Sequence, residues 1–360
     1  MEKGEEFVKL KVYKVYKVYK VCKIRKLLTT SALIICYNLF MVHKLKIAVL
    51  RGGPGYEYES SMKMGSYILK NLSNNKYVVY DVSISRDGDW FLNGIVVRPE
   101  KILMRIDLVF NAVKGNYAKG RLQKMLDDFA VPYTGSGALS SAISTNKFLA
   151  KKIFEKNGMK TPYHSLLRKE NYNRALVHKI FREIPAPFIV KPVDSDISFG
   201  VDMAYTLEEL IHLIEGNLEM SDAVLVEEYI RGKEIVCGVI KDFRGITHYT
   251  FLPTEIKRNK PFLCNLSKLN NDFDLLIPTE LDTDKKNRIK QLAIDAHESL
   301  DLGDYSHSDF IVSNRGDIYL LETNIIPDIQ EGSVLEKMLE ASGSSLSELI
   351  EHLVQITRRY

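Results

Sequence analysis

The sequence predicts a mixed protein, α/β where the organised chain begins and α+β after that, and three stretches carry the expectation. Leu45 to Leu50 is an apolar run, closed by the glycine turn Arg51 to Gly55 and followed by a helical pattern from about Ser60 to Leu72. Strand, glycine turn and helix in that order open a doubly wound unit. Pro187 to Pro192 is a short strand that ends in Lys191 and runs into a polar loop, 193–201. Asp309 to Asn324 reads as a hairpin: Phe310 to Val312, a polar turn at Asn314 to Asp317, then Ile318 to Leu321.

Each remaining element follows in chain order. Tyr77 to Val82 is a second strand, and Lys101 to Phe110 contains a third that ends at Asn111. A helix from about Gly120 to Phe129 precedes the loop Val131 to Gly137, which closes the first unit. Ala142 to Asn157 reads as one helix carrying Lys147, Lys151 and Lys152. Thr206 to Glu215 is a helix with a threonine cap and early acids. Ala223 to Val226, Glu234 to Val239 and Thr247 to Leu252 are strands. Residues 256–274 are polar and irregular, the pattern of a mobile loop, and helices follow at Lys285 to Leu300 and about Ser345 to Thr357.

At 360 residues the chain has room for two or three domains. Its 45% hydrophobic and 27% charged content is that of an ordinary globular protein. The net charge of +4 sits at one end: residues 1–40 hold nine Lys/Arg against three Asp/Glu, and the rest holds 41 against 43. The globular part therefore has no nucleic-acid footprint. Four scattered cysteines, Cys22, Cys36, Cys237 and Cys264, point to a reducing compartment and no disulfide framework.

Residues 12–20 repeat Val-Tyr-Lys three times, and an apolar segment runs from Leu27 to Val42. A basic region before an apolar stretch resembles a signal peptide or anchor. The stretch is short for a spanning helix, which needs about 20 residues. It also runs directly into Lys44-Leu45-Lys46. The expectation is that Met41 is the true start and that 1–44 is an extension outside the organised chain. Contact with a membrane is expected only if that extension belongs to the protein.

The hairpin carries the chemistry. Its turn returns Glu322 beside Asp309, and Asn324 lies on the same face of the strand as Glu322. Two carboxylates and an amide carbonyl suit a hard divalent cation, and Mg²⁺ usually arrives with phosphates. A solvated hairpin end would present the same residues. Lys191 and the loop after it could hold phosphate, with Lys147 facing the same cleft, though a strand-end lysine such as Lys191 is more often a solvated edge charge. Glu227 could accept from an adenine amino group and Glu234 from ribose hydroxyls; a helix start or a turn also explains the Glu227-Glu228 pair.

The order of these pieces is specific. KIAVLRGGPGYEYES (46–60), VPYTGSGALSSAISTNKFLAKKIF (131–154), FIVKPVDSDISFGV (188–201), VLVEEYIRGKEIVCGVI (224–240) and YLLETNIIPDIQEGS (319–333) resemble the D-alanine–D-alanine ligases of the ATP-grasp superfamily. The resemblance runs from Lys46 to about Val354. It implies an ATP-grasp fold with an N-terminal Rossmann-like domain at 45–138, a central domain at 139–227 and a C-terminal domain at 228–360, with ATP between the last two. It implies a cytoplasmic ligase in which one amino acid's carboxylate takes the γ-phosphoryl group of ATP and a second amino acid's amine then displaces phosphate. Peptidoglycan precursor synthesis is the setting this implies, and a homodimer is the expected assembly.

By the same resemblance, Asp309, Glu322 and Asn324 hold two Mg²⁺ ions, with Mn²⁺ as a substitute. Lys147, Lys191 and Ser198 contact the phosphates. Glu227, Glu234 and the backbone of Glu228, Tyr229 and Ile230 hold the nucleoside. Glu57 binds the first ammonium, Ser333 meets the second carboxylate, and Lys268 reaches the transferred phosphoryl group. Four departures mark the amino-acid side. His307 stands where the family has an oxyanion-stabilising arginine, and it lacks that residue's fixed fork and permanent charge. Asp328 replaces a glycine, Ile197 replaces a serine, and 113–120 replaces a histidine-glycine segment. Two other readings stay open: a ligase for other amino acids or small acids, and a nucleotide-binding module without turnover.

Overall fold

The computed structural model describes residues 44–194, 200–258 and 273–358. The expectations placed on residues 1–43, Ile197, Ser198 and Lys268 lie outside the described residues. Three sheets organise the rest.

The first sheet has the order β4-β3-β2-β1-β5, with β1 at Leu45–Gly52, β2 at Tyr77–Ile84, β3 at Trp90–Leu92, β4 at Ile95–Val96 and β5 at Leu108–Asn111. β1 pairs parallel to both β2 and β5. Ile47 to Leu50 are fully buried, as a central parallel strand covered on both faces requires. Helix α1 (Tyr58–Asn71) covers one face with Met64 and Ile68, and α2 (Pro99–Leu103) and α3 (Arg121–Asp128) follow. β3, β4 and α2 were not legible in the sequence, because each is too short to show a period.

The single helix expected over 142–157 is two. α4 spans Ala138–Thr145 and α5 spans Lys147–Lys156. Asn146 breaks the run at φ −89° and ψ 98°, and its side chain accepts from Leu149 N at 3.0 Å, so it caps α5. The break sets the rotational phase of α5, and with it the direction of Lys147 and Lys151.

The second sheet, β6-β9-β7-β8, is antiparallel throughout. Its strands are β6 (His164–Arg168), β7 (Phe188–Pro192), β8 (Asp202–Ala204) and β9 (Ala223–Glu228). Helices α6 (Arg174–Glu183) and α7 (Leu207–Met220) pack on it, burying Val177, Ile180, Leu210 and Ile214. Thr206 caps α7 by accepting from Glu209 N at 3.2 Å.

The third sheet runs β13-β12-β10-β14-β15, with β11 also paired to β10. Its members are β10 (Gly232–Phe243), β11 (Ile246–Thr250), β12 (Thr254–Arg258), β13 (Phe273–Leu276), β14 (Tyr305–Ser313) and β15 (Ile318–Asn324). Of the irregular segment expected at 256–274, the two ends are strand instead, since β12 and β13 pair up to Arg258 and Phe273, and 259–272 lie outside the described residues. Helices α8 (Thr283–Ser299), α9 (Val334–Ala341) and α10 (Leu346–Thr357) complete this part. Among the described residues no helix is long and apolar enough to cross a membrane.

The glycine-rich loop before α4 locks the first sheet's unit to the third sheet. Gly135 N–H donates to Asp304 at 2.8 Å, and Gly303 N–H donates to Ser136 Oγ at 3.1 Å. A Cβ on Gly303 would stand 2.1 Å from Gly135 O, so only glycine permits this approach. Burial pushes the Asp304 carboxyl up to about 6, against the pull of the Gly135 amide and the Thr357 hydroxyl.

Candidate active site

The β14–β15 register decides what the hairpin presents. Asp309 pairs with Glu322, and His307 pairs with Asn324. Side chains two apart on a strand share a face, so His307, Asp309, Glu322 and Asn324 project together. A register irregularity between Asp309 and Phe310 ends the regular ladder beside these residues, a place where bulges commonly re-aim a side chain. His307 Nε2 lies 3.8 Å from Asp309 Oδ1. Asn324 Oδ1 accepts from Ile326 N–H at 3.0 Å, which fixes the amide and leaves its oxygen a second lone pair.

These four line a cavity of about 320 Å³ together with Glu57, Lys147 and Ser333. Seven residues singled out in the sequence therefore meet in one space. Glu57 is buried at the start of α1, against Gly115. A Cβ on Gly115 would come within 2.6 Å of the Glu57 carboxylate, and φ of +71° there also favours glycine. Ser333 Oγ accepts from Glu336 N–H at 3.1 Å and so caps α9, while its hydroxyl hydrogen can still donate into the cavity.

α5 joins this cavity to the second sheet. Lys147 and Lys151 are four residues apart, hence on one helix face. Lys147 Nζ lies 2.8 Å from Glu322, and its backbone N–H donates to Val193 O at 2.9 Å, just past the end of β7. Lys151 Nζ lies 3.1 Å from Glu227 Oε1 on β9, while Lys191 Nζ on β7 lies 2.9 Å from Glu227 Oε2. The three are almost fully enclosed, at 0%, 6% and 2% exposure for Lys151, Lys191 and Glu227. Burial would raise the Glu227 carboxyl, but the two ammonium groups outweigh it and hold it below its ordinary value. Burial drags Lys151 down to about 8 despite Glu227.

Among the described residues, Glu228, Tyr229, Ile230 and Glu234 do not line the cavity. Glu228 and Tyr229 turn out to be partly committed within the protein. Glu228 N–H donates to Tyr163 O at 2.9 Å, Glu228 Oε1 accepts from Tyr163 N–H at 2.9 Å, and Tyr229 N–H donates to Pro187 O at 3.1 Å. In the backbone stretch expected to hold the nucleoside, the N–H groups of Glu228 and Tyr229 are thus already used, which leaves Ile230 N–H and the carbonyls. Glu234 sits on β10 opposite Ile256 and Ile311.

Sequence reasoning missed two partners in this site. Lys151 was visible at four residues from Lys147, but spacing could not say that it would be buried. Lys114 Nζ is ion-paired with Asp328, and Ser60 Oγ lies 3.4 Å from the same carboxylate. All three line the cavity. Asp328 and the 113–120 segment were each noted as departures; no signal in the sequence shows that they meet.

The fit of a divalent cation rests on the donors. Asp309, Glu322 and Asn324 offer hard oxygens on one face, opposite cationic side chains suited to phosphate. The chemistry of these side chains suits a nucleotide and its cation, and comparison with known proteins shows the family. Residues 153–355 match the family model described as D-ala D-ala ligase C-terminus. The D-alanine–D-alanine ligase of Thermoanaerobacter sp. is 30% identical over 353 residues, spanning 88% of this chain and 97% of the relative. That of Geobacter sulfurreducens is 31% identical, spanning 86% and 93%. The crystal structure of the Bacillus anthracis D-alanine–D-alanine ligase complexed with ATP superposes with a TM-score of 0.71 at 26% identity, covering 88% of this chain and 98% of that one. The Vibrio cholerae D-alanyl-alanine synthetase A superposes at 0.78 with 23% identity, a likeness of fold, over 88% and 99%. With its three sheets arranged as an ATP-grasp fold and its strand-end acids facing buried lysines, this chain belongs to the D-alanine–D-alanine ligase family.

Proposed function

We propose that the protein is an ATP-dependent carboxylate–amine ligase that joins two D-alanine molecules. The observation that carries the reading is the continuous path of charge along α5, from Glu322 through Lys147 and Lys151 to Glu227 and Lys191. It links the acidic hairpin to a phosphate-binding sheet.

In this reading one amino acid's carboxylate oxygen attacks the γ-phosphorus, the bond to ADP breaks, and an acyl phosphate forms. The second amino acid's amine attacks that carbonyl carbon, loses a proton, and inorganic phosphate leaves. The protein's task is alignment and charge neutralisation. Glu57 holds the first ammonium, the Ser333 hydroxyl donates to the second carboxylate, and His307 donates to the oxygen that gains charge. Lys147 and Lys191 hold phosphate oxygens, Glu227 and Ile230 the adenine, and Glu234 the ribose. Asp309, Glu322 and Asn324 would hold Mg²⁺, two ions in the full reading, whose chemistry is to neutralise the phosphates. The units 45–138, 139–227 and 228–360 supply first substrate, nucleotide and metal groups in turn. A cytoplasmic homodimer is the form we assign.

A second reading keeps the chemistry and changes the amino acids. The Lys114–Asp328 pair favours it, because it places an ion pair in the wall of the amino-acid cavity. Purified protein with ATP, Mg²⁺ and a panel of D- and L-amino acids separates the two. D-Alanyl-D-alanine as the dominant product by mass spectrometry supports the first reading, and faster phosphate release with another amino acid supports the second. No phosphate release across the panel rejects both.

A further inference from the structure

Lys151 is absent from the ligand set proposed above, yet among the described residues it is the most deeply buried charge. A buried ammonium is costly, and a methionine of similar length would fill the space without that cost. The charge count explains why a lysine stands there. Lys151 and Lys191 share one carboxylate, one on each oxygen of Glu227. Among the described residues, two ammonium groups against one carboxylate leave one positive charge in excess, because the nearby Glu322 is offset by Lys147. With Lys151 neutral, Lys191 and Glu227 would form a closed pair with no surplus for an anion.

We infer that Lys151 is a positioning residue for the nucleotide: acting through Glu227, it keeps the Lys191 ammonium available to the phosphates. The inference rests on the reading of Lys191 as a phosphate ligand. Lys151 Nζ stands off the direction of a good hydrogen bond to Glu227 Oε1, although only 3.1 Å away. It therefore acts mainly as a charge, and that oxygen keeps a lone pair for another donor. The groups around Lys151 are Glu227 on β9, Lys191 on β7, Glu322 on β15 and His164 on β6. His164 is turned with Nδ1 3.0 Å from Pro162 O, and burial lowers its basicity, so it adds no charge at neutral pH. Since Lys151 is held down to about 8, the surplus charge disappears as pH rises through that value.

The test is calorimetric binding of ATP with Mg²⁺ to the full chain, without amino acids. Lys151→Met should bind about tenfold more weakly or worse near pH 7, while Lys151→Arg stays within about threefold of wild type. The KM for the amino acids should not move in either variant, which separates positioning from general loosening of the fold. Wild-type affinity should weaken between about pH 7 and 9, and that of Lys151→Arg should not, because a guanidinium keeps its proton. Lys151→Met binding ATP like wild type overturns the inference and leaves the ligase reading intact. Absence of ATP binding by the wild type removes both. If Lys151→Met does not fold, the pH series decides alone, and identical pH dependence in wild type and Lys151→Arg overturns the inference.

Discussion

The side we assign to the nucleotide and the side we assign to the amino acids hold their charges differently. On the first, Lys151, Lys191 and Glu227 are sealed between α5 and the second sheet. On the second, Lys114 is 10% exposed and its partner Asp328 is 43% exposed, although protein surrounds that carboxylate closely. Water reaches the Asp328 side chain. Burial would raise its carboxyl, but Lys114 outweighs burial and holds it below its ordinary value. Removing one partner of a buried pair strands a charge and costs about 3–5 kcal/mol. A partly solvated pair contributes only about 0–1 kcal/mol. The sealed side thus resists substitution, whereas the open side can exchange residues at little cost to the fold. The departures at His307, Asp328 and the 113–120 segment all fall on the open side.

The largest break in that contrast should come from Glu322→Ala, which removes both a hairpin acid and the partner of Lys147. Turnover should fall by about 10³-fold or more, followed as phosphate release, with little change in melting temperature. Retained turnover would take Glu322 out of the mechanism. Next comes Lys191→Met, which leaves Glu227 with Lys151 alone. The KM for ATP should rise about 10–100-fold while the KM for amino acids holds. An equal rise in both would mean that the sealed cluster serves the whole site.

Asp328→Gly sharpens the other half of the comparison. Loss of this partner releases Lys114 into the cavity. We expect the relative rates among amino acids to shift by about tenfold, with ATP affinity unchanged and stability altered by less than about 1 kcal/mol. Product profiles from a mixed amino-acid assay test this, and an unchanged profile would detach the pair from substrate choice. The smallest effect concerns Asp304. Its carboxyl is raised to about 6, so the folded state prefers it protonated. That contribution is complete below the unfolded value near 4 and is lost as pH rises through about 6. Lowering pH from about 7.5 to 5 should therefore stabilise wild type by about 1 kcal/mol relative to Asp304→Asn, read as a difference in melting temperature.

Local pattern was enough for the parts of the chain whose physics is local. The buried run Ile47 to Leu50, the threonine cap on α7 and the hairpin turn at 314–317 each follow from a few neighbouring residues, and each stands as read. The pairing of Asp309 with Glu322 also follows, because a tight turn sets the register of the strands it joins. The helix over 142–157 was misread because Asn146 fits a helical pattern by polarity and breaks it by capping.

What the sequence determined by itself is the family, the order of elements and the set of acids and lysines able to serve a nucleotide. Only the tertiary structure decided which of them meet. Lys114 and Asp328 are 214 positions apart, and Lys151 and Glu227 belong to different elements. No periodicity reports such contacts, since they depend on how a helix and three sheets pack. Burial decides the rest: an ion pair is a fixed part of the structure when dry, as at Glu227, and an adjustable one when water reaches it, as at Asp328, because water sets what a charge costs.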